Sequence, residues 1–176
     1  MGSEMCIRDS HCSLREAILA ANDSINLGAP DEILFDLGGI GPHTISLSTS
    51  LPDITDPVTI DGRIDISAAK LNDLAAPPSM LNIEIDGSGM TSGPIFRLMS
   101  ADISLIKLAI GGGPDIAIDI RGADAVIKSN FIGLKPNGTT PAGNGGSGIY
   151  VNALGAMIGG TEDNDGNIIG LSLIHI

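Results

Sequence analysis

"PVTIDG" (residues 57–62), "LNIEIDG" (81–87) and "DIAIDIRG" (115–122) decide the fold. Val58 and Ile60 alternate with Thr59 and Asp61, and Leu81, Ile83 and Ile85 with Asn82, Glu84 and Asp86. In the third run Ile116, Ile118 and Ile120 alternate with Ala117, Asp119 and Arg121. A period of two marks a strand buried on one face, and the Gly that closes each run marks a turn. The closures themselves recur. Ile60, Ile85, Ile110, Ile132 and Ile158 are each followed by Gly within two positions, at intervals of 25, 25, 22 and 26 residues. A period in the twenties that holds more than one short strand signals a solenoid. The expected class is all-β, with Ile60, Ile85 and Ile110 stacked at about 4.8 Å, the spacing of hydrogen-bonded strands. Each such Ile, fully buried, contributes about 1.5–3 kcal/mol.

Composition agrees with a thin interior. Aromatic residues make up 2% of the 176 residues, with no Trp and one Tyr, while Gly numbers 24. Branched aliphatics must therefore fill the core in place of bulky rings. Leucine-rich repeats share the period but need a Leu/Asn consensus and a helical side, and neither is visible. A β-sandwich is the structural alternative, and the constancy of the interval favours the coil.

Working toward the N-terminus, "CSLREAILAAN" (12–22) reads as the one helix. Ser13 and Glu16 form a capping box, and Leu14, Ala17, Ile18 and Ala21 make one apolar stripe. This helix is expected to lid the first coil, since one coil alone cannot bury its inner face. Toward the C-terminus, "AVIKSNFIG" (125–133) alternates poorly, which places a bend there with Asn130 in the corner; Asn144, Asn152 and Asn167 read as similar corner residues. "NGTTPAGNGGSG" (137–148) reads as a protruding polar loop.

The two tips carry a different signal. "MCIRDS" (5–10) can be written ATG TGT ATA AGA GAC AG, whose reverse complement, CTG TCT CTT ATA CAC AT, translates as "LSLIHI", residues 171–176. A DNA linker ligated to both ends of a fragment produces that relation, and folding physics does not. Residues 1–10 and 171–176 are therefore read as linker-derived, 11–53 as a cap region, and 54–170 as coil repeats of a longer chain. On that reading Cys6 belongs to the linker, Cys12 stands alone, and no intrachain disulfide is expected.

The chain carries 21 acidic and 9 basic residues, a net charge of −12. Such a balance argues against nucleic acid and anionic membrane as partners, both of which need a basic surface. No apolar run approaches the roughly 18 residues that span a bilayer. No membrane insertion is expected.

"CSLREAILAAN" resembles the signature of the CSLREA family of bacterial surface and secreted proteins. "SLPDITDPVTIDG", "IEIDGSG", "NFIGLKPNGTTPAGN" and "MIGGTEDNDGNIIG" resemble the right-handed parallel β-helix repeats that follow it in that family. The resemblance covers nearly all of His11–Gly170. It implies a right-handed parallel β-helix with one N-terminal capping helix, located outside the cell or on its surface. It also implies an adhesive or uncharacterised role, and the repeat without any convergent site is read as a spacer or adhesive surface whose partner is an extracellular polysaccharide or a host or cell-surface ligand. None of its motifs maps onto a catalytic residue.

Candidate sites are few. Asp61 and Asp86 occupy matching places in two runs and are expected about 4.8 Å apart on the coil. Ca²⁺ is the one cofactor they would suit, although it takes about six or more oxygens; two solvated Asp-Gly turns are the plainer reading. "TEDNDGN" (161–167) has the look of an acidic loop, with Asp163, Asp165 and Gly166, but lacks the distal Glu of a Ca²⁺ loop. Asp119 and Arg121 share an outer face, with Lys107 expected on the coil before. Tyr150 is the single candidate for contact with a ligand. His11, His43 and His175 are isolated, so no His-centred nucleophile system is expected. The leading expectation is a non-catalytic segment; the alternative is a polysaccharide lyase or glycoside hydrolase of β-helix fold with active coils partly outside these residues.

Overall fold

A computed structural model describes residues 4–8, 13–37, 41–64, 80–170 and 173–175. In chain order its elements are β1 (Glu4–Arg8), α1 (Leu14–Asp23), β2 (Asp31–Asp36), β3 (His43–Ser46), β4 (Val58–Ile64), β5 (Ile83–Asp86), β6 (Phe96–Leu98) and β7 (Ser104–Ile106). They continue with β8 (Leu108–Gly111), β9 (Ile118–Ile120), β10 (Val126–Lys128), β11 (Phe131–Ile132), β12 (Ser147–Val151), β13 (Met157–Ile158), β14 (Ile168–Ile169) and β15 (Leu173–His175).

The strands form three sheets among the described residues. The first runs β1-β2-β4-β7-β10-β13, the second β3-β5-β8-β11-β14, and the third β6-β9-β12-β15. Every pairing between them is parallel. From β4 onward the chain visits first, second and third sheet in rotation. An earlier circuit passes through β2 and β3 and touches the third sheet at Ile54, which bridges Leu98. The mostly-β expectation with one helix therefore stands.

Aliphatic side chains line up along each sheet. Register places Ile33, Ile60, Leu105, Ile127 and Ile158 in one column of the first sheet. Ile45, Ile85, Ile110, Ile132 and Ile169 form the column of the second. Phe96, Ile118 and Ile149 share the third sheet with Leu98, Ile120 and Val151. The middle members of all three are wholly buried.

This corrects the expected Ile60–Ile85–Ile110 stack. Ile85 and Ile110 do pair, but Ile60 stands in another sheet between Ile33 and Leu105. The uninterrupted circuit is 22 residues, as from Leu105 to Ile127 and from Ile110 to Ile132. The 25 residues from Ile60 to Ile85 join two different sides of the circuit across residues 65–79, which lie outside the described residues. Equal intervals concealed unequal paths. Ile158 likewise continues Ile127 and not Ile132.

The helix covers one end. Ser13 and Glu16 form the capping box, and Leu14, Ala17, Ile18 and Ala21 are buried. Arg15 donates to Thr49, Asn22 donates to the Asp53 carbonyl, and the Thr55 N–H donates back to Asn22. The capping box also lowers the Glu16 pKa, because the Ser13 N–H and hydroxyl donate to the ionised carboxylate.

Corners between sheets need special backbone. Lys107 and Ser129, at φ 55° and 60°, turn the chain from the first sheet to the second, and Gly159 does the same at φ 101°. Asn130, expected in this corner, is fully buried there, although the left-handed residue is its neighbour Ser129. Its side chain accepts from the Leu108 N–H and donates to the Leu105 carbonyl, both at 2.9 Å. Asn167, one circuit on, accepts from the Asn130 N–H and donates to the Ile127 carbonyl. Stacked asparagines thus satisfy backbone groups that the turn frees from the sheets.

One further expectation changes. The 137–148 stretch folds back over the second sheet: Lys135 pairs with Thr140, Leu134 bridges Pro141, and the Ala142 carbonyl accepts from Gly112. Close contact there requires Gly111, where any Cβ would meet Ala142. Within the two segments read as linker-derived, Glu4–Arg8 pairs as β1 on β2 and Leu173–His175 as β15 on β12, which leaves the origin of those segments untouched. Pairing through backbone groups at a sheet edge asks only for a short extended run, whatever its side chains.

Replacing Asn130 by Ala is expected to lower stability by about 2–4 kcal/mol, because two buried backbone groups lose their partner. Urea denaturation against Asn137→Ala, which alters only an exposed turn, checks this. Equal midpoints for the two variants would remove the role assigned to Asn130.

Candidate functional site

Outward-facing residues of the third sheet form a polar group around a buried charge. Register places Arg97 of β6, Asp119 of β9 and Tyr150 of β12 side by side on successive strands. Each sits between two inward apolar residues, as a period of two demands. Asp119 is 3% exposed. It survives burial because two guanidiniums hold it: Arg121 Nε lies 2.6 Å from Oδ1, and Arg97 Nε lies 3.3 Å from Oδ2. Arg121 also stands over the Tyr150 ring, 5.0 Å from its centroid. Arg97 reaches Asp53 at 3.5 Å, which ties the row to the segment under the cap helix.

The electrostatics fix the chemistry. The hydrogen bond to Asp119 raises the Arg121 pKa, so this guanidinium stays charged at every physiological pH. Asp119, clasped on both oxygens, is not placed to take a proton from a substrate. Both arginine side chains remain 38–39% exposed. Asp119 aims both, Arg121 through Nε and Nη2, while Nη1 of Arg97 also reaches Asp53. Such a pair recognises flat oxyanions such as carboxylates.

The other expected site residues are dispersed. Asp61 lies on β4, buried, accepting from the Arg63 N–H at 2.9 Å and from its guanidinium. Asp86 lies on β5 in another sheet, accepting from the Ser88 N–H at 3.0 Å. Their strand partners are Leu34 and Ile106 for the one, Ser46 and Gly111 for the other. The expected stack of Asp61 on Asp86 is therefore corrected, and with it the geometry that suited them to Ca²⁺. The error follows from the same misread interval as Ile60 and Ile85.

Asp165 turns toward Lys128 at 3.4 Å and accepts from Glu162, so "TEDNDGN" closes a turn on itself. Among the described residues no group of three or more His, Cys, Asp or Glu is placed to hold a metal. Lys107 is not beside Asp119; it occupies a corner, and Arg97 takes the expected place. The 22-residue distance from Arg97 to Asp119 was the signal that would have found it.

A second polar group lies on the second sheet. Lys135 reaches Glu84 at 2.5 Å and Asp86 at 3.8 Å, and Thr44 donates to Glu84 at 2.9 Å. Its hydrogen bond to Glu84 raises the Lys135 pKa, with the charges of Glu84 and Asp86 adding to it. The group pins the 137–148 loop to the sheet.

No protein-family model, curated protein or solved structure matches the chain.

Asp119→Ala should cost about 1–3 kcal/mol, as for a lost charged hydrogen-bond partner. It should also change tyrosine emission, which reports Tyr150 alone in a chain with one Tyr and no Trp. Unchanged emission would separate Tyr150 from the arginine row. For Lys135 the sign follows from its raised pKa: the pair stabilises fully below the ordinary lysine range and loses that contribution as pH rises through the raised value. An alkaline denaturation series of the wild type should therefore fall more steeply than that of Lys135→Met.

Proposed function

We propose that this chain is a stretch of right-handed parallel β-helix from an extracellular or bacterial cell-surface protein of the CSLREA kind. It acts as a non-catalytic spacer whose third sheet contacts carbohydrate. The rotation of the chain through three parallel sheets supports the coil, and parallel connections within a sheet are right-handed in nearly all proteins. The resemblance of residues 12–22 supports the family and location. Among the described residues no helix is long and apolar enough to cross a membrane, and the acidic balance disfavours nucleic acid.

One observation carries the contact role. Arg97, Asp119, Arg121 and Tyr150 make a row in which a buried carboxylate orients two exposed guanidiniums beside a phenol. Oriented guanidiniums suit a sugar carboxylate better than a neutral sugar, because both N–H edges are used at once. The row offers charge and shape without a poised acid and base, so binding without cleavage is its natural use.

Titration with oligogalacturonate, followed by Tyr150 emission, is expected to saturate, while a neutral glucan of equal length leaves emission unchanged. Incubation with polygalacturonate and Ca²⁺ is expected to release no unsaturated product, read by ultraviolet absorbance. Product formation would replace this reading with the polysaccharide lyase.

A further inference from the structure

Along the corner between the third and first sheets runs a groove of about 500 Å³, lined in part by Asn26, Pro57, Asp102, Ser104, Asp124 and Val126. Its position follows from register. Ser104 and Val126 pair on the outer face of the first sheet, so Asp102 and Asp124, each two positions earlier, follow one another along the corner. Both adopt left-handed backbone at φ 55°. Both carboxylates are exposed, and no ion pair reaches either among the described residues. This contrasts with Asp61, Asp119, Glu84 and Asp165, each of which has a cationic neighbour.

Exposed apolar residues adjoin the lining residues in sequence and in register. Ile25 and Leu27, 81% and 70% exposed, flank Asn26. Met157, 45% exposed, follows Val126 along the floor. Leu154, 85% exposed, belongs to the strand connection whose carbonyl accepts from the Asp124 N–H. Of the seven large hydrophobics that stand exposed among the described residues, four therefore adjoin residues that line this groove. Single exposed apolar residues are ordinary, but their concentration around one concave site marks an interaction surface.

We infer that this groove docks an extended polypeptide segment in which a basic residue, placed over Asp102 and Asp124, is flanked by apolar residues over Ile25 and Leu154. Charge complementarity selects the cation, and the apolar rims select a peptide over a small polyamine. A second copy of this chain is a poor occupant, since both copies carry a charge of −12. The surface is separate from the arginine row, which lies on the third sheet and carries two cations.

Fluorescence anisotropy with a labelled heptapeptide of alternating leucine and lysine tests the inference. Asp102→Asn with Asp124→Asn keeps the fold, because Asn tolerates left-handed backbone. It is expected to weaken peptide binding about tenfold, as for two partly exposed charged contacts. Glu162→Gln with Asp163→Asn removes the same charge from an exposed turn elsewhere and should change binding less than about twofold. Ile25→Ser with Leu154→Ser should weaken the peptide and leave spermine binding unaltered. Equal loss in both charge-neutralised variants would reduce the effect to net charge and overturn the inference. So would absence of binding to the wild type. Displacement of the peptide by millimolar Ca²⁺ at constant ionic strength would assign the carboxylates to a metal instead.

Discussion

The structure depends on one constraint: parallel strands bonded in register place like positions of successive circuits above one another. An aliphatic residue at one level must therefore meet an aliphatic residue at the next. The Ile33–Ile60–Leu105–Ile127–Ile158 column satisfies it with branched side chains of nearly equal volume. Branched aliphatics of like size pack level on level, and Phe35 and Phe96, both wholly buried, are the two large rings among them. The same rule applies outside. Arg97, Asp119 and Tyr150 adjoin because their positions in the circuit match, and opposite charges on adjacent strands attract where like charges would repel.

Corners are the second element of the design. A strand of two or three residues must turn sharply while keeping its backbone groups bonded, and the interior offers no water to bond them. Asn130 and Asn167 answer this with side-chain amides that substitute for missing strand partners. Lys107 and Ser129 absorb the turn in left-handed backbone. Gly122 serves another corner, where any Cβ would run into the Ser100 backbone. The corner positions are thus selected for backbone chemistry, and the strand positions for volume.

Much of this was legible in the sequence. The period of two gave β4, β5 and β9, the capping box gave α1 and its buried stripe, and the break in alternation at Lys128–Asn130 gave the corner. The column assignment was not legible, because Ile60 to Ile85 and Ile85 to Ile110 are equal in residues but unequal in path. Insertions lengthen a circuit without altering its register, so counting along the chain cannot tell one side of the coil from another. Misplacing one side carried Asp61 onto Asp86 and Lys107 beside Asp119. Tyr150 was legible as an isolated aromatic; its arginine partners required the 22-residue circuit.

The distribution of charge follows from the same geometry. An acidic chain wound at strand spacing brings carboxylates of adjacent circuits close together, where two unpaired charges repel by about 1 kcal/mol even in water. The basic residues are placed against this. Arg63 holds Asp61, Arg97 and Arg121 hold Asp119, Lys128 faces Asp165, and Lys135 holds Glu84 with Asp86 near. Each cation serves a carboxylate that the fold buries wholly or in part, where desolvation without a partner would cost most. Among the described residues Asp102 and Asp124 receive none, and their exposure explains why none is needed for folding. Their charge remains available to whatever approaches the outer surface of that corner.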